Sequence, residues 1–298
     1  MSDKIYKRFE GDRRLVLFEG DCRKLLKDLP ERSIDLVVTS PPYCMNREYD
    51  SSNSVEEFVE THSKLLPEVW EKLKPGGNLC WQVGVHVRDN VIAPLDYLVH
   101  GVMSGIKDAR LRNRIIWSFG HGLHLEKRFS GRYEVVLWYS KGDKYIFNLN
   151  AVRVPQKYPG KRRYKGERKG EYSGNPLGKN PSDVWDIPNV KACHVEKTAH
   201  PCQFPIALAK RLIDSLSPED GLVFDPFAGS GTTGAAAVLA GRRFVGAELL
   251  PAYATIARQR LQDAVRDKLR FRPELPVREP QEGEAVSRRP PHFAQSEG

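Results

Sequence analysis

Two short stretches of this chain gather residue types that a reaction needs more than a core does. The first is Ser40-Pro41-Pro42-Tyr43, which closes the apolar run Ile34-Asp35-Leu36-Val37-Val38-Thr39. A hydroxyl, a carbonyl held rigid by two prolines and an aromatic ring can grip a planar base by its amino group. The Ser40 hydroxyl and the Pro41 carbonyl accept hydrogens, and Tyr43 offers a stacking face. Alone, the tetrapeptide also reads as an ordinary strand-ending turn, because proline fixes φ and stops a ladder. The second stretch is Phe224-Asp225-Pro226-Phe227-Ala228-Gly229-Ser230-Gly231-Thr232-Thr233-Gly234, between the apolar Gly221 to Phe224 and a helix expected over Ala235 to Ala240. Glycines at a strand-to-helix turn let the backbone approach a ligand, and a helix N-terminus favours an anionic group. The strand-like Arg242 to Glu248 then ends on a carboxylate that can accept both hydroxyls of a ribose. This arrangement suits a nucleoside-containing cofactor.

Gly229, Gly231 and Gly234 also satisfy the dinucleotide fingerprint, with Glu248 close to its acidic position. A nicotinamide or flavin fold would need several strand-helix units downstream, yet ordered character ends near residue 272. Its missing units would have to lie upstream, which argues against it.

Together the two motifs resemble the S-adenosylmethionine-dependent amino-methyltransferases of DNA. Their order, with Ser-Pro-Pro-Tyr first and the glycine loop near the C-terminus, resembles the β class, over about Leu15 to Leu261. The resemblance implies an α/β, Rossmann-like fold with a mostly parallel seven-stranded sheet, helices on both faces and a circularly permuted motif order. It implies catalytic roles for Ser40, Pro41, Pro42 and Tyr43. For S-adenosylmethionine it implies Asp225, Phe227, Gly229, Ser230, Gly231, Thr232, Thr233 and Glu248. Asp21, in Glu19-Gly20-Asp21-Cys22, matches the family's carboxylate near the cofactor adenine. His200, in His200-Pro201-Cys202-Gln203-Phe204-Pro205, matches its segment beside the methionine part.

The activity so implied is site-specific methylation of the exocyclic amino group of a base flipped out of double-stranded DNA. The family's cytosine enzymes typically begin the tetrapeptide with Ser and its adenine enzymes with Asp or Asn, so cytosine N4 is favoured and adenine N6 is the alternative. A DNA-binding module of the same fold without catalysis is a further reading. A cognate restriction endonuclease is a partner such enzymes can have, and a monomer or homodimer is expected. Pro201-Cys202-Gln203 also resembles the nucleophile motif of the carbon methylases of cytosine. There the glycine loop precedes the Pro-Cys pair, whereas here it follows, and the downstream Glu-Asn-Val is absent.

The elements that must position these residues follow from apolar pattern. Strands are expected at Arg14 to Phe18, Ser33 to Thr39, Asn78 to Val83, Asn113 to Phe119 and Tyr133 to Tyr139. Short all-apolar runs suit a parallel sheet covered on both faces. Helices are expected at Arg23 to Leu29, after Ser54 with Glu57 at capping-box spacing, over Pro94 to Lys107 and over Ile206 to Leu216. In space, the glycine-loop strand should sit centrally, with the Glu248 and Asp21 strands on one side. The Ser40 strand, the Trp81 strand and the final pair should lie on the other. The polar Cys44 to Asn53 is long enough for a flap. Gly120 to Gly131, with His121, His124 and Arg128, is a strand connection long enough to be functional, or else a solvated loop.

With 298 residues and a formal charge of +9, the chain can bury a large core and favours a polyanionic partner. From Lys157 to Gly170 the cations Lys157, Lys161, Arg162, Arg163, Lys165, Arg168 and Lys169 face one acid, Glu167, with Tyr158, Tyr164 and Tyr172 interleaved. They are read as DNA contacts, at the family's usual place for target recognition; a charged solvated loop is the bland alternative. The expected organisation is a catalytic half (1–150), a basic target-recognition insertion (151–185), a cofactor-binding half (186–271) and a disordered tail (272–298). Five scattered cysteines, no leader after Met1-Ser2-Asp3-Lys4 and no membrane-length apolar run lead to the expectation of a cytoplasmic protein without disulfides. Cys193-His194 and His200-x-Cys202 match no common zinc spacing, so no metal is expected.

Overall fold

A computed structural model describes residues 4–11, 13–43, 54–120, 122, 124–158 and 160–273. The flap expected at Cys44 to Asn53 lies outside these residues, as do His121 and the tail beyond 273. The described chain divides into two units, one of Met1–Phe147 with Asp183–Pro273 and one built on Asn148–Ser182.

In the larger unit the strands bury side chains on both faces, which is why their sequences read as continuous apolar runs. Strand β2 (Ile34–Thr39) is buried at every position. Leu36 and Val38 join one core, Ile34 and Val37 the other. β9 (Leu222–Asp225) and β10 (Arg243–Glu248) split in the same way, with Val223 and Phe244 on the first face and Phe224 and Val245 on the second. Helices α4 (Ile206–Leu216), α5 (Thr232–Leu239) and α6 (Pro251–Val265) cover the first face. Helices α1 (Cys22–Asp28), α2 (Val55–Lys72) and α3 (Leu95–Ser104) cover the second. Helix α2 starts as its sequence dictates, with the Ser54 hydroxyl accepting from the Glu57 amide at 3.2 Å.

The sheet runs β1-β10-β9-β2-β3-β7-β6-β8, adding β1 (Leu15–Glu19), β3 (Leu73–Val83), β6 (Ala109–Ser118), β7 (Tyr133–Lys141) and β8 (Val184–Asp186). The glycine-loop strand β9 is flanked by β10 and β2, so the expected spatial order holds. β3/β7 and β7/β6 are antiparallel and the other pairs parallel. Seven strands were expected and eight are present. The extra one, β8, has three residues and one buried side chain, Trp185, too little for a pattern to reveal it. Long-range bonds hold it: the Ile116 amide donates to Asp183 O at 2.7 Å and Trp117 Nε1 to Ile187 O at 2.8 Å. β6 starts at Ala109, before the expected Asn113, and a separate hairpin of β4 (Val85–Arg88) and β5 (Val91–Pro94) was not anticipated.

Asp35, the one charged residue of β2, is buried and clips three strands at their beginnings. It pairs with Lys74 Nζ at 2.8 Å and accepts from the Leu222 amide at 2.8 Å. Among the described residues, no helix is long and apolar enough to cross a membrane.

Candidate functional site

Two polar bonds at the carboxyl ends of the central strands bring the remote motifs together. Thr39 Oγ1, at the end of β2, donates to Asp225 Oδ1 at the end of β9 at 2.6 Å, across 186 residues. Thr233 Oγ1, in the first turn of α5, donates to Val38 O at 3.2 Å, across 195. Ser40-Pro41-Pro42-Tyr43 and Phe227 to Ser230 therefore line the same cavity, of about 240 Å³, joined by Asp21, Thr232, His200 and Glu248. Asp225, Gly231 and Thr233, expected to touch cofactor, do not line it. Asp225 is 1 % exposed and acts as the joint itself, also accepting from the Phe227 amide at 3.0 Å. Burial pushes its pKa up to about 6, against those hydrogen bonds.

Gly229 and Gly231 are required by shape. Both hold positive φ, 52° and 76°. A β-carbon on Gly229 would lie 3.2 Å from His200 Nε2, and one on Gly231 would lie 2.9 Å from the Ala257 backbone. Gly231 caps α5 without a side chain, so the first amides of that helix receive no side-chain cap. Glu248 is 6 % exposed; Oε2 accepts from the Gly229 amide at 2.8 Å and Oε1 from the Leu250 amide at 2.9 Å. A carboxylate has about four acceptor sites, so Glu248 keeps capacity for a further donor. Burial raises the Glu248 pKa, opposed by those amides. Asp21 caps α1 and pairs with Arg23 at 3.0 Å; partial burial pushes its carboxyl up, but the Arg23 bonds and charge win and hold it below the usual range. The His200 ring lies edge-on to Tyr253 at 4.5 Å, and burial pushes its pKa down to about 4, so it is neutral at pH 7.

At the tetrapeptide, Tyr43 OH donates to the Gln82 main-chain carbonyl at 3.3 Å and lies 2.9 Å from Ser40 Oγ. Either hydroxyl can donate in the Ser40–Tyr43 bond. When the phenol proton lies on the Gln82 carbonyl, Ser40 donates to Tyr43 and its outward lone pairs accept, as an amino group requires. Burial, with the charge of Glu134 beside it, raises the Tyr43 pKa and keeps that proton in place. Glu134 itself is pushed by burial up to about 7 and accepts from the Gln82 side chain.

Sequence reasoning missed Arg260, in α6. It is 6 % exposed, and Nη1 donates to Ser230 O, Ser230 Oγ and Thr232 Oγ1 at 2.9, 3.1 and 3.0 Å. Its other arm faces buried Glu196 at 3.9 Å, whose Oε2 accepts the Ile206 amide at 2.9 Å. Arg260 thereby ties the glycine loop to the segment bearing His200. The signal available was a cation three residues after Ala257, on the buried stripe of its helix. Cys202 also lines the cavity. No group of three or more His, Cys, Asp or Glu among the described residues is placed to hold a metal ion.

In the smaller unit all seven predicted cations are exposed. Arg162 braces a turn: Nη1 donates to Gly170 O at 2.7 Å, Nη2 to Tyr172 OH at 2.9 Å, and the guanidinium covers the Tyr172 ring at 4.3 Å. Lys157 and Lys165 lie over the rings of Tyr158 and Tyr164 at 5.6 and 5.5 Å.

Residues 34–259 match the N6/N4 methyltransferase model, described as DNA methylase. The chain belongs to the DNA methylase family. This methylase is 43 % identical over 244 residues to the type II methyltransferase M.BglII of Bacillus subtilis, covering 82 % of this chain and 68 % of that one. It is 30 % identical over 259 residues to the DNA adenine methyltransferase YhdJ of Escherichia coli K12, covering 85 % of each. Among solved structures it is similar to TTHA0409 of Thermus thermophilus in complex with S-adenosyl-L-methionine, at TM-score 0.61 and 27 % identity, covering 87 % of this chain and 99 % of that one. The methylase is an S-adenosylmethionine-dependent DNA methyltransferase of the N4/N6 amino class. Its cavity fits that cofactor: a glycine at Gly229, a buried carboxylate at Glu248 and Thr232 at the start of α5 line it together.

Proposed function

We propose that this methylase modifies the N4 amino group of cytosine flipped out of double-stranded DNA. The observation that carries the reading is the Ser40 hydroxyl on the wall shared with Gly229 and Glu248. Glu248 and Asp21 hold the nucleoside end of the cofactor, and His200 with the Gly229 to Thr232 loop holds its amino-acid end. The bound cofactor supplies a methyl group made electrophilic by a sulfonium. Ser40 Oγ and Pro41 O take the two amino hydrogens, Tyr43 stacks on the base, and this hold aims the nitrogen lone pair. Positioning of this kind supplies much of the rate. Serine is a weak base, so the proton leaves as the methyl arrives and passes to water.

Ser40, where the family's adenine enzymes carry Asp or Asn, favours cytosine. Similarity to an adenine methyltransferase supports adenine N6 as the second reading. The exposed cations of the smaller unit are assigned to phosphate contact in target recognition. Likeness to a type II methyltransferase extends the proposal to protection of DNA from a cognate endonuclease.

One assay tests the reading: labelled S-adenosylmethionine with mixed-sequence DNA, digested to nucleosides. Label in N4-methylcytosine supports it, label in N6-methyladenine moves it to the second reading, and cofactor binding without transfer leaves a DNA-binding module. Ser40→Ala should lower transfer by about 100-fold while cofactor affinity stays within about twofold. Loss of cofactor binding would contradict the assignment.

A further inference from the structure

β6 and β7 are joined by residues 119–132. Ser118 pairs with Tyr133, and Val135 with Val83. β7 is antiparallel to β3, so the connection leaves the sheet at the end where β3 finishes. β2 finishes there too, with Thr39 beside Trp81 and Ser40 next in the chain. Its root adjoins the wall of the cavity, because a β-carbon on Gly84 would lie 3.3 Å from Glu134 and 3.4 Å from the Tyr43 ring.

The connection is braced from within. The Phe119 amide donates to Arg132 O at 2.9 Å and the Leu125 amide to Ser130 Oγ at 3.2 Å. Phe129, next to that Ser130 anchor, is 99 % exposed. Burial of a phenyl side chain is worth roughly 2–3 kcal/mol, and the isolated chain gains none of it here. Lys127, Arg128 and Arg132 flank Phe129 in the chain against one acid, Glu126. A bare aromatic among cations, on a connection rooted beside that cavity, has the chemistry of a duplex wedge. Cations neutralise phosphates while the ring enters a base step.

We propose that residues 124–132 of this connection form a second DNA-contact element, in which Phe129 enters the base stack and fills the space left by the extruded target. The proposal rests on the flipped-base reading above. The test uses the full chain with S-adenosylmethionine and a target site first mapped by its own methylation. Phe129→Ala should slow methylation of the fully paired duplex by about tenfold or more. On a duplex with an abasic position opposite the target, where no partner holds the base, its rate should come within about twofold of the unaltered enzyme. Phe129→Trp should retain most activity on both, and cofactor affinity should be unchanged in each variant. Equal losses on both duplexes, or no loss on the paired one, would overturn the wedge. A fluorescent base analogue at the target separates the two ideas. If it stays quenched when the unaltered enzyme binds, extrusion fails and the wedge falls with it. If it brightens equally with and without Phe129 at equal rates, only the wedge falls.

Discussion

One proton decides what Ser40 can do. With the Tyr43 hydrogen on the Gln82 carbonyl, the Ser40 hydrogen goes to Tyr43 and the serine oxygen turns to the cavity as an acceptor. Tyr43→Phe keeps the stacking ring but leaves that serine proton without its acceptor, able to point at the substrate amine. A lost hydrogen bond of about 1 kcal/mol translates to a kcat about 3- to 10-fold lower, with KM for DNA within about twofold, readable by steady-state methylation. A raised KM without a change in kcat would show that the phenol grips DNA instead. The types at these positions were legible in the sequence. The bond from Tyr43 to the Gln82 carbonyl was not, because Gln82 is 39 residues away.

Between elements, the decisive contacts are the bonds that hold β2 to β9 and α6 to the glycine loop. Asp225 was expected at the cofactor and instead secures Thr39 and the Phe227 amide. Asp225→Ala should cost about 2–4 kcal/mol in urea unfolding, since the buried Thr39 hydroxyl and the Phe227 amide lose their acceptor, while Asp225→Asn should cost under about 1 kcal/mol. The pH dependence has a sign. Between pH 3.8 and about 6 the native acid keeps a proton that the unfolded chain releases. Stability therefore falls as pH rises through that window, and Asp225→Asn should remove this component. A motif match names residue types at a turn, and it does not separate those facing a ligand from those facing the strand behind. Arg260 escaped for a related reason: its partners, Ser230 and Thr232, are 30 and 28 residues away.

For the whole molecule, buried histidine and surface cations give separate tests. His62 is 3 % exposed, bonds Phe58 O at 2.8 Å and meets the edge of Trp81, which in turn meets Phe227 of the cavity. Burial pushes its pKa down to about 4 from 6.5. Above pH 6.5 neither state is charged; below it the unfolded chain takes a proton that the native one refuses. Stability should fall as pH drops from 6.5 to 4, by about 3 kcal/mol from this group, and calorimetry of His62→Leu should show a shallower acid limb. The smaller unit predicts salt dependence. With four or five phosphate contacts, log affinity for DNA should fall with log salt at a slope of about −4. Replacing Lys161, Arg163 and Lys165 by Ala, with the Arg162 brace intact, should make that slope shallower by about 3. An unchanged slope in a filter-binding titration would mark the segment as solvated only.

Local pattern determined most of the strand and helix content, because burial on two faces writes continuous apolar runs, and the resemblance of the two motifs to a known family implied the strand order. Tertiary structure alone decided which motif residues face the cavity, that Asp225 is a joint, that Arg260 supports the loop and that a three-residue strand completes the sheet. Those outcomes depend on hydrogen bonds between groups tens to hundreds of residues apart, whose partners no local periodicity encodes.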